Sequence, residues 1–343
     1  MTVSWPVKFA VLCLVWGASF LLMKVGLEAL APVQVATLRI LSGTATVAVA
    51  ALVMRTRFPR SLRVWGHLAV CGFVLCALPF TLFPLGEERV SSALAGIGNA
   101  TTPLSVVLFT LLLMPAQRVD RRTLVAVLTG FLGVVVIVQP WQAQGRPDLL
   151  GFGLTLLAGA SYGLGWTYVK RFLHPGDVGG LGLPAGQLLM ASGEMLAVST
   201  AWWWWHRGDA GTGLPAPWSL QPGVSALGPL VAILALGVVG TGLAFVLQFD
   251  IVREVGPTIG ATVTYVIPVV AVVLGVVLLH ERLTVSEVVG AAIVLGSAVV
   301  IGRPRPPAAG PAANASAQRA AGQPTASATT SRPGPNPSST GRS

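Results

Sequence analysis

The sequence predicts an all-α polytopic membrane protein of ten transmembrane helices, arranged as two inverted five-helix repeats. Three observations carry this. Charged residues make up 10% of the chain and hydrophobic ones 53%, whereas ordinary soluble domains carry roughly 25% charged residues. The apolar residues gather into ten stretches, each near the length of about 20 residues that spans roughly 30 Å of hydrocarbon. Finally, the second half of the chain repeats the spacing of the first.

The first observation excludes a soluble globule. A chain of 343 residues with mean hydropathy +0.75 has too few charged side chains to cover a water-facing surface. The three cysteines, Cys13, Cys71 and Cys76, are odd in number and sit inside apolar runs. They read as small buried hydrophobes, not as a disulfide framework. The net charge of +10 invites a nucleic-acid reading, but its arginines and lysines lie between apolar stretches. There is no basic helix and no interleaving of aromatics, so nucleic acid is not an expected partner. The charge is a topology signal instead.

The ten spans fall at about 7–27, 33–54, 64–85, 90–114, 123–140, 150–170, 185–205, 227–249, 257–279 and 284–302. Most are rich in Leu, Val, Ala and Gly, and small residues let membrane helices approach closely. Pro32 opens the second span, and Pro59, Pro147, Pro175, Pro215 and Pro217 fall in connections, where a missing N–H costs nothing. The longest internal loop runs from His206 to Ala226, after Trp202 to Trp205 at the position of an interfacial aromatic belt. The first span resembles a signal peptide, with Lys8 before it and Gly17-Ala18-Ser19 inside it. Its partner deep in the chain predicts that it stays. Residues 303–343 hold eight prolines and five arginines but no acidic residue and no Leu, Ile, Val or Phe. Such a tail is expected to be disordered and cytoplasmic.

Lys and Arg set the orientation. With the N-terminus inside, the inner segments hold 13 of them: Lys8, Arg55, Arg57, Arg60, Arg63, Arg118, Arg121, Arg122, Lys170, Arg171, Arg253, Arg303 and Arg305. The outer connections hold five: Lys24, Arg89, Arg146, Arg207 and Arg282. Both termini are therefore expected in the cytoplasm.

The repeat is read from spacing. Trp16-Gly17-x-x-Phe20-x-x-x-Lys24 matches Tyr162-Gly163-x-x-Trp166-x-x-x-Lys170 at an offset of 146. Pro103 matches Pro268 at an offset of 165, as do Leu82 with Leu247, Ala95 with Gly260 and Leu113 with Leu278. Gly133 matches Gly296 at 163. The copies cover 7–140 and 150–302. Five spans is an odd number, so the second copy enters the membrane from the opposite side. Inverted repeats suit a secondary transporter, because the two halves can exchange roles around a central site.

These residues resemble a known family. WGASFLLMKVGL in the first span, Arg39 in the second, SSALAGIGNATTPLSVVLFTLLLM in the fourth and GPTIGATVTYVIPVVAVVLGVVLLHERLT in the ninth are similar to the drug/metabolite transporter superfamily, specifically its ten-span EamA-type permeases. The resemblance covers about 7–302. It implies export or uptake of small metabolites, often amino acids, through a cavity lined by both repeats in a bacterial plasma membrane. One departure stands out. The family ends its fourth and ninth spans with Glu and a basic residue; the second copy keeps Glu281-Arg282, and the first has Ala116-Gln117.

Candidate site residues follow. A mid-helix proline lacks an N–H and collides with the carbonyl four residues back. Pro103 and Pro268 would thus free the carbonyls of Asn99 and Thr264, among Thr101, Thr102 and Ser105 in one copy and Thr258, Thr262 and Tyr265 in the other. Either these are helix breaks lining a midplane site, or kinks healed by hydroxyls and neighbouring helices. Trp16, Phe20, Tyr162 and Trp166 recur on one helix face. They line a path or pack between helices. Tyr162 and Tyr265 carry hydroxyls that need partners if buried, and Gln248 ends the eighth span. Glu194 is the one acidic residue read well inside a span. There a carboxylate costs several kcal/mol, so it faces a cavity or is protonated, which makes Glu194 the candidate for proton coupling, or it is a protonated or hydrogen-bonded residue at a helix contact. Lys24, Lys170 and Arg39 snorkel to the interface, or neutralise a substrate carboxylate or clamp a gate. Glu281 is placed to pair with a cation. His67, His174, His206 and His280 are scattered. No metal-ligand spacing and no nucleophile–base set is found, so neither a metal, a cofactor nor an enzymatic activity is expected. The Walker A pattern is missing, so a solute or ion gradient would drive movement. The rivals to a metabolite permease are a lipid or head-group flippase and an assembly factor without transport.

Overall fold

The computed structural model describes residues 4–116, 121–139, 148–173, 176–207, 225–255 and 263–302. The tail 303–343, most of the loop 206–226, and Pro147, Pro175, His174, Arg118, Thr258 and Thr262 lie outside the described residues.

Among the described residues every regular element is a helix. The first copy contains α1 (Trp5–Gly26), α2 (Pro32–Val53), α3 (Leu62–Gly72), a π-helical segment π1 (Phe73–Ala77), α4 (Leu78–Glu87), α5 (Ser92–Asn99), α6 (Thr102–Leu113) and α7 (Arg121–Val138). The second contains α8 (Leu149–Phe172), α9 (Gly182–His206), α10 (Leu227–Gly237), a second π segment π2 (Val238–Leu243), α11 (Ala244–Val255), α12 (Val263–Leu278) and α13 (Val285–Gly302). Six helical stretches are long and apolar enough to cross a membrane: Trp5–Gly26, Pro32–Val53, Leu62–Glu87, Ser92–Leu113, Leu149–Phe172 and Leu227–Val255. Val266–Leu278 and Val285–Ile301 are shorter and apolar. The two remaining helices, α7 and α9, occupy the sites of the fifth and seventh expected spans.

Local chemistry fixes the helix starts. Pro32 stands in the first turn of α2, where the Gln34 side chain accepts from the Ala31 N–H at 2.9 Å. The Ser91 hydroxyl caps α5 by accepting from Leu94 N at 3.2 Å, and the Asp148 carboxylate caps α8 by accepting from Gly151 N at 2.6 Å. At α13 the Thr284 hydroxyl accepts from Glu287 N while the Glu287 carboxylate accepts from Thr284 N, a reciprocal box.

The two π segments begin at Phe73 and Val238, separated by the 165 residues that separate Pro103 from Pro268. After π1, Pro79 removes a helix donor. In π2 the Thr241 hydroxyl takes the Leu236 carbonyl, five residues back, at 3.3 Å. Each therefore has a local reason to wind wide.

Several helix contacts recur when the two halves of the chain are exchanged. α1 packs on α12, and α8 on α6; α4 packs on α8, and α10 and α11 on α1; α3 packs on α9, and α10 on α2. Three pairs of equivalent helices also touch each other. Along α2 and α9, Thr37 meets Ser199 and Thr44 meets Ser192, hydroxyl to hydroxyl at 2.5 and 2.8 Å. Along α5 and α12, Ser92 lies against Gly275 and Gly96 against Ala271. Along α7 and α13, Gly130 lies against Ser297 and Ile137 against Gly290. In every pair one number rises as the other falls, so the partners run antiparallel.

One core draws on both halves of the chain. Leu12, Phe20 and Met23 of α1, Phe83 of α4, Ala158 of α8, Ile233 and Leu236 of α10 and Ile267 of α12 form one buried cluster. The three cysteines are buried and free.

Candidate functional site

Polar groups inside this core converge on the two π segments. A wide turn leaves backbone carbonyls poorly paired, and in hydrocarbon they need partners. Side chains from the first helix of the opposite copy supply them. The Trp16 indole N–H donates to the Gly240 carbonyl in π2 at 3.0 Å, and the Ser161 hydroxyl donates to the Val74 carbonyl in π1 at 2.6 Å. Trp16 and Tyr162 are equivalent in the repeat, so Ser161 acts from the position beside the equivalent one.

Arg39 joins this centre. It is 6% exposed. Its Nε donates to Thr241 Oγ1 at 3.1 Å, one terminal nitrogen reaches Met23 Sδ at 3.5 Å, and the guanidinium carbon lies 3.7 Å from the Phe80 ring centre. Around it runs an aromatic chain across the copies. Phe20 meets Phe83 edge-on at 5.3 Å, Phe83 meets Tyr162 at 6.0 Å, and Trp16 meets Phe245 edge-on at 6.3 Å. Snorkelling of Arg39 is therefore corrected: its charge is enclosed by α1, α2, α4 and π2. An aromatic face, one hydroxyl acceptor and one thioether acceptor hold it there in place of a carboxylate.

A second cluster closes one end of the bundle. The Lys24 ammonium donates to the backbone carbonyls of Glu87 and of Val90, the latter at 3.1 Å. It thus caps the turn between α4 and α5 instead of reaching for water. Glu281 accepts from the first two amides of α5, Ser92 N at 2.7 Å and Ala93 N at 3.0 Å, one per carboxylate oxygen. The expectation that Glu281 pairs with a cation is replaced by this helix N-terminus, whose free N–H groups and dipole favour an anion. Beside it lies Glu87, 0% exposed, with neither carboxylate oxygen hydrogen-bonded among the described residues. Sequence reasoning missed Glu87 because it lies just beyond the third apolar stretch, 64–85. Its signal was the run Gly86-Glu87-Glu88-Arg89, in which only one of the two acids is enclosed.

The remaining candidates divide. Pro103 stands in the first turn of α6, after a break at Ala100 and Thr101, and Asn99 is the last residue of α5. Thr102 is buried, and its hydroxyl has no partner among the described residues. Pro268 is different: α12 continues through it from Val263 to Leu278. The expected second break is corrected to a continuous helix, in which a single lost bond, to the Thr264 carbonyl, is tolerated in packed surroundings. Thr264 is half-buried in α12 and Gln248 half-buried in α11; the Tyr265 side chain lies outside the described residues. Trp166 is 43% exposed on the outer face of α8, away from the aromatic chain. Glu194 is half-buried in α9, with one carboxylate oxygen enclosed and without a hydrogen-bond partner among the described residues.

A cavity of about 1190 Å³ opens between the ends of α2, α3 and α11 and the segment before α9. Arg57, Arg60, Asp177, Phe249 and Arg253 line it. Close by, the Lys8 ammonium pairs with Asp250 at 2.5 Å and Glu254 at 3.0 Å, tying the start of α1 to the end of α11. Among the described residues no group of His, Cys, Asp and Glu is arranged to hold a metal ion.

The model of the EamA-like transporter family matches this chain twice, over residues 4–139 and 149–303. The chain belongs to the EamA-like transporter family. Within the family it is 26% identical, over 294 residues, to the "Uncharacterized inner membrane transporter YedA" of Escherichia coli (strain K12), covering 84% of this chain and 88% of that one. It is 23% identical to "Protein PecM" of Dickeya dadantii, with the same coverage of both chains. A "Probable amino-acid metabolite efflux pump" of Salmonella typhimurium is 28% identical over 166 residues, 47% of this chain and 51% of that one. A crystal structure shares the fold with TM-score 0.55 at 22% identity, covering 86% of this chain and 94% of that chain. As an EamA-family member the protein is an integral membrane protein of a transporter family.

Proposed function

We propose that this EamA-family protein is a secondary transporter that moves a small organic metabolite, an amino acid or a related compound, by alternating access between two inverted five-span repeats. The observation that carries the reading is the antiparallel contact of three equivalent helix pairs, α2 with α9, α5 with α12 and α7 with α13. A two-fold axis in the membrane plane reverses helix direction in that way, and a same-sense duplication does not. The matched π segments support it, since each is held by the first helix of the other copy. Arg39, Trp16, Phe20 and Tyr162 lie at that junction, where a substrate would meet both halves. The amino-acid class rests on the name of the Salmonella relative. The excess of Lys and Arg on the segments that share a side with the termini supports cytoplasmic termini. The Lys24–Glu281 cluster then closes the outer end, and the basic cavity opens inward.

The test is uptake and counterflow of a metabolite panel by the purified protein in proteoliposomes, with and without a pH gradient. Saturable counterflow of an amino acid supports the reading; none across the panel, from protein that melts cooperatively, overturns it. A C-terminal tag that reacts with impermeant reagent in intact cells overturns the topology.

A further inference from the structure

We infer that the outer groove between α7 and α13 is a binding site for one anionic phospholipid, its acyl chain in the groove and its phosphate on Arg121 and Arg122. The two helices touch closely at Gly133 and Gly290, where a Cβ on either would press on the other's backbone carbonyl. They part toward the start of α7 and the end of α13. At Gly296 an added Cβ would meet nothing within 4 Å. The space between them is a cavity of about 660 Å³, walled by Val125, Ile293 and Val300 and headed by Arg121 and Arg122.

The wall is apolar in effect as well as in composition. Its two hydroxyls are already used within their own helices: Thr129 donates to the Val125 carbonyl at 2.9 Å and Ser297 to the Ile293 carbonyl at 2.8 Å. No hydroxyl donor along the wall is left to hold a hydrated solute. The side chains flanking it are large, apolar and open to the surroundings, among them Leu128, Leu132 and Val299. That is a surface for hydrocarbon.

The head of the groove selects the lipid. Arg121 and Arg122 make no ion pair among the described residues, and none of the residues lining the groove is acidic. A phosphate therefore meets two guanidinium groups able to bind it bidentately. The ammonium of phosphatidylethanolamine meets no carboxylate in the lining and is placed near two cations. Phosphatidylglycerol has the same phosphate without the ammonium. Basic pockets between helices at the cytoplasmic face hold anionic head groups in this manner. The inference does not depend on the substrate, or on transport.

The experiment is native mass spectrometry of the full chain, released from nanodiscs of equal phosphatidylglycerol and phosphatidylethanolamine. The wild type is expected to retain one phosphatidylglycerol in preference. R121Q/R122Q is expected to lose roughly tenfold in that preference with an unchanged melting profile. G296L, which fills open space, is expected to lose retention of either lipid. R57Q/R60Q, at the other basic surface, serves as the control and is expected to keep the preference. Equal retention of both lipids by the wild type overturns the inference. So does an equal loss in R57Q/R60Q, which marks a general charge effect, or a lipid-free dimer that G296L dissociates, which marks the groove as a contact between copies.

Discussion

Arg39 of the second helix and Thr241 of the second π segment are 202 residues apart in sequence and 3.1 Å apart in space. A buried guanidinium thus depends on a helix of the opposite copy and on the Phe80 ring below it. R39K keeps the charge but loses the planar stacking and the Nε donor. The substitution is predicted to cost about 2 kcal/mol, the scale of a desolvated cation–π contact. It should lower the melting temperature of the detergent-solubilised protein by several degrees while membrane insertion persists. A melting temperature equal to wild type would remove Arg39 from the junction.

Glu281 bonds two backbone amides and no cation. E281A leaves Ser92 N and Ala93 N without their acceptors at a loss of about 2 kcal/mol, because hydrogen bonds to a charged group are the stronger kind. Hydrogen exchange read by mass spectrometry is predicted to speed up at the start of α5 by more than tenfold, with α9 unaffected. E281Q, which keeps one acceptor, should fall between. Uniform acceleration along the chain would show a global loss of stability in place of a lost cap.

Gly133 and Gly290 allow the closest approach of α7 and α13. A Cβ at either would press on the opposing backbone, which has no way to yield. G133L is predicted to destabilise by about 1–3 kcal/mol, the usual cost of overpacking. Gly153 faces open space, so G153A is predicted to be neutral or to gain up to about 1 kcal/mol of helix propensity. Thermal melts of the two variants check the contrast.

What the sequence made legible was periodic and local. Helix positions follow from apolar runs, and the offset of 165 between Pro103 and Pro268 also locates the two π segments, which share it. Trp16, Phe20, Tyr162 and Trp166 were marked as recurring on one helix face in each copy, and the first three lie in or against one buried cluster. Lateral neighbours were not legible. Hydropathy gives depth along one helix and says nothing of what lies beside it. Arg39 and Lys24 therefore read as snorkelling, although each is turned inward by acceptors hundreds or tens of residues away. Glu87 was not singled out, for the same reason. Trp166 looked equivalent to Phe20 by spacing, but it lies on the outer face of α8, since a repeat preserves spacing better than it preserves surroundings.

The last prediction concerns the driving force. A proton gradient acts on a group that can carry a proton out of water, and among the described residues Glu87 and Glu194 hold carboxylate oxygens that are enclosed without a hydrogen-bond partner. Glu194 is half-buried on α9. Glu87 is fully enclosed, with no partner for either oxygen among the described residues, and it faces Lys24 from α1, Arg39 from α2 and Glu281 from the segment after α12. Neutral Glu87 leaves Lys24 on the carbonyls of Glu87 and Val90, which fixes the turn into α5. Ionised Glu87 is predicted to draw Lys24 to itself and release that turn, which would link the proton to the closure of this end. E87Q has no carboxylate hydrogen bond to lose and is predicted to fold. It should lose pH-driven accumulation of a solute that the wild type accumulates in proteoliposomes while keeping exchange, because exchange moves no net proton. E194Q is predicted to keep both. The opposite pattern would transfer the coupling to Glu194. Accumulation retained in both variants would show that no proton passes through either carboxyl group.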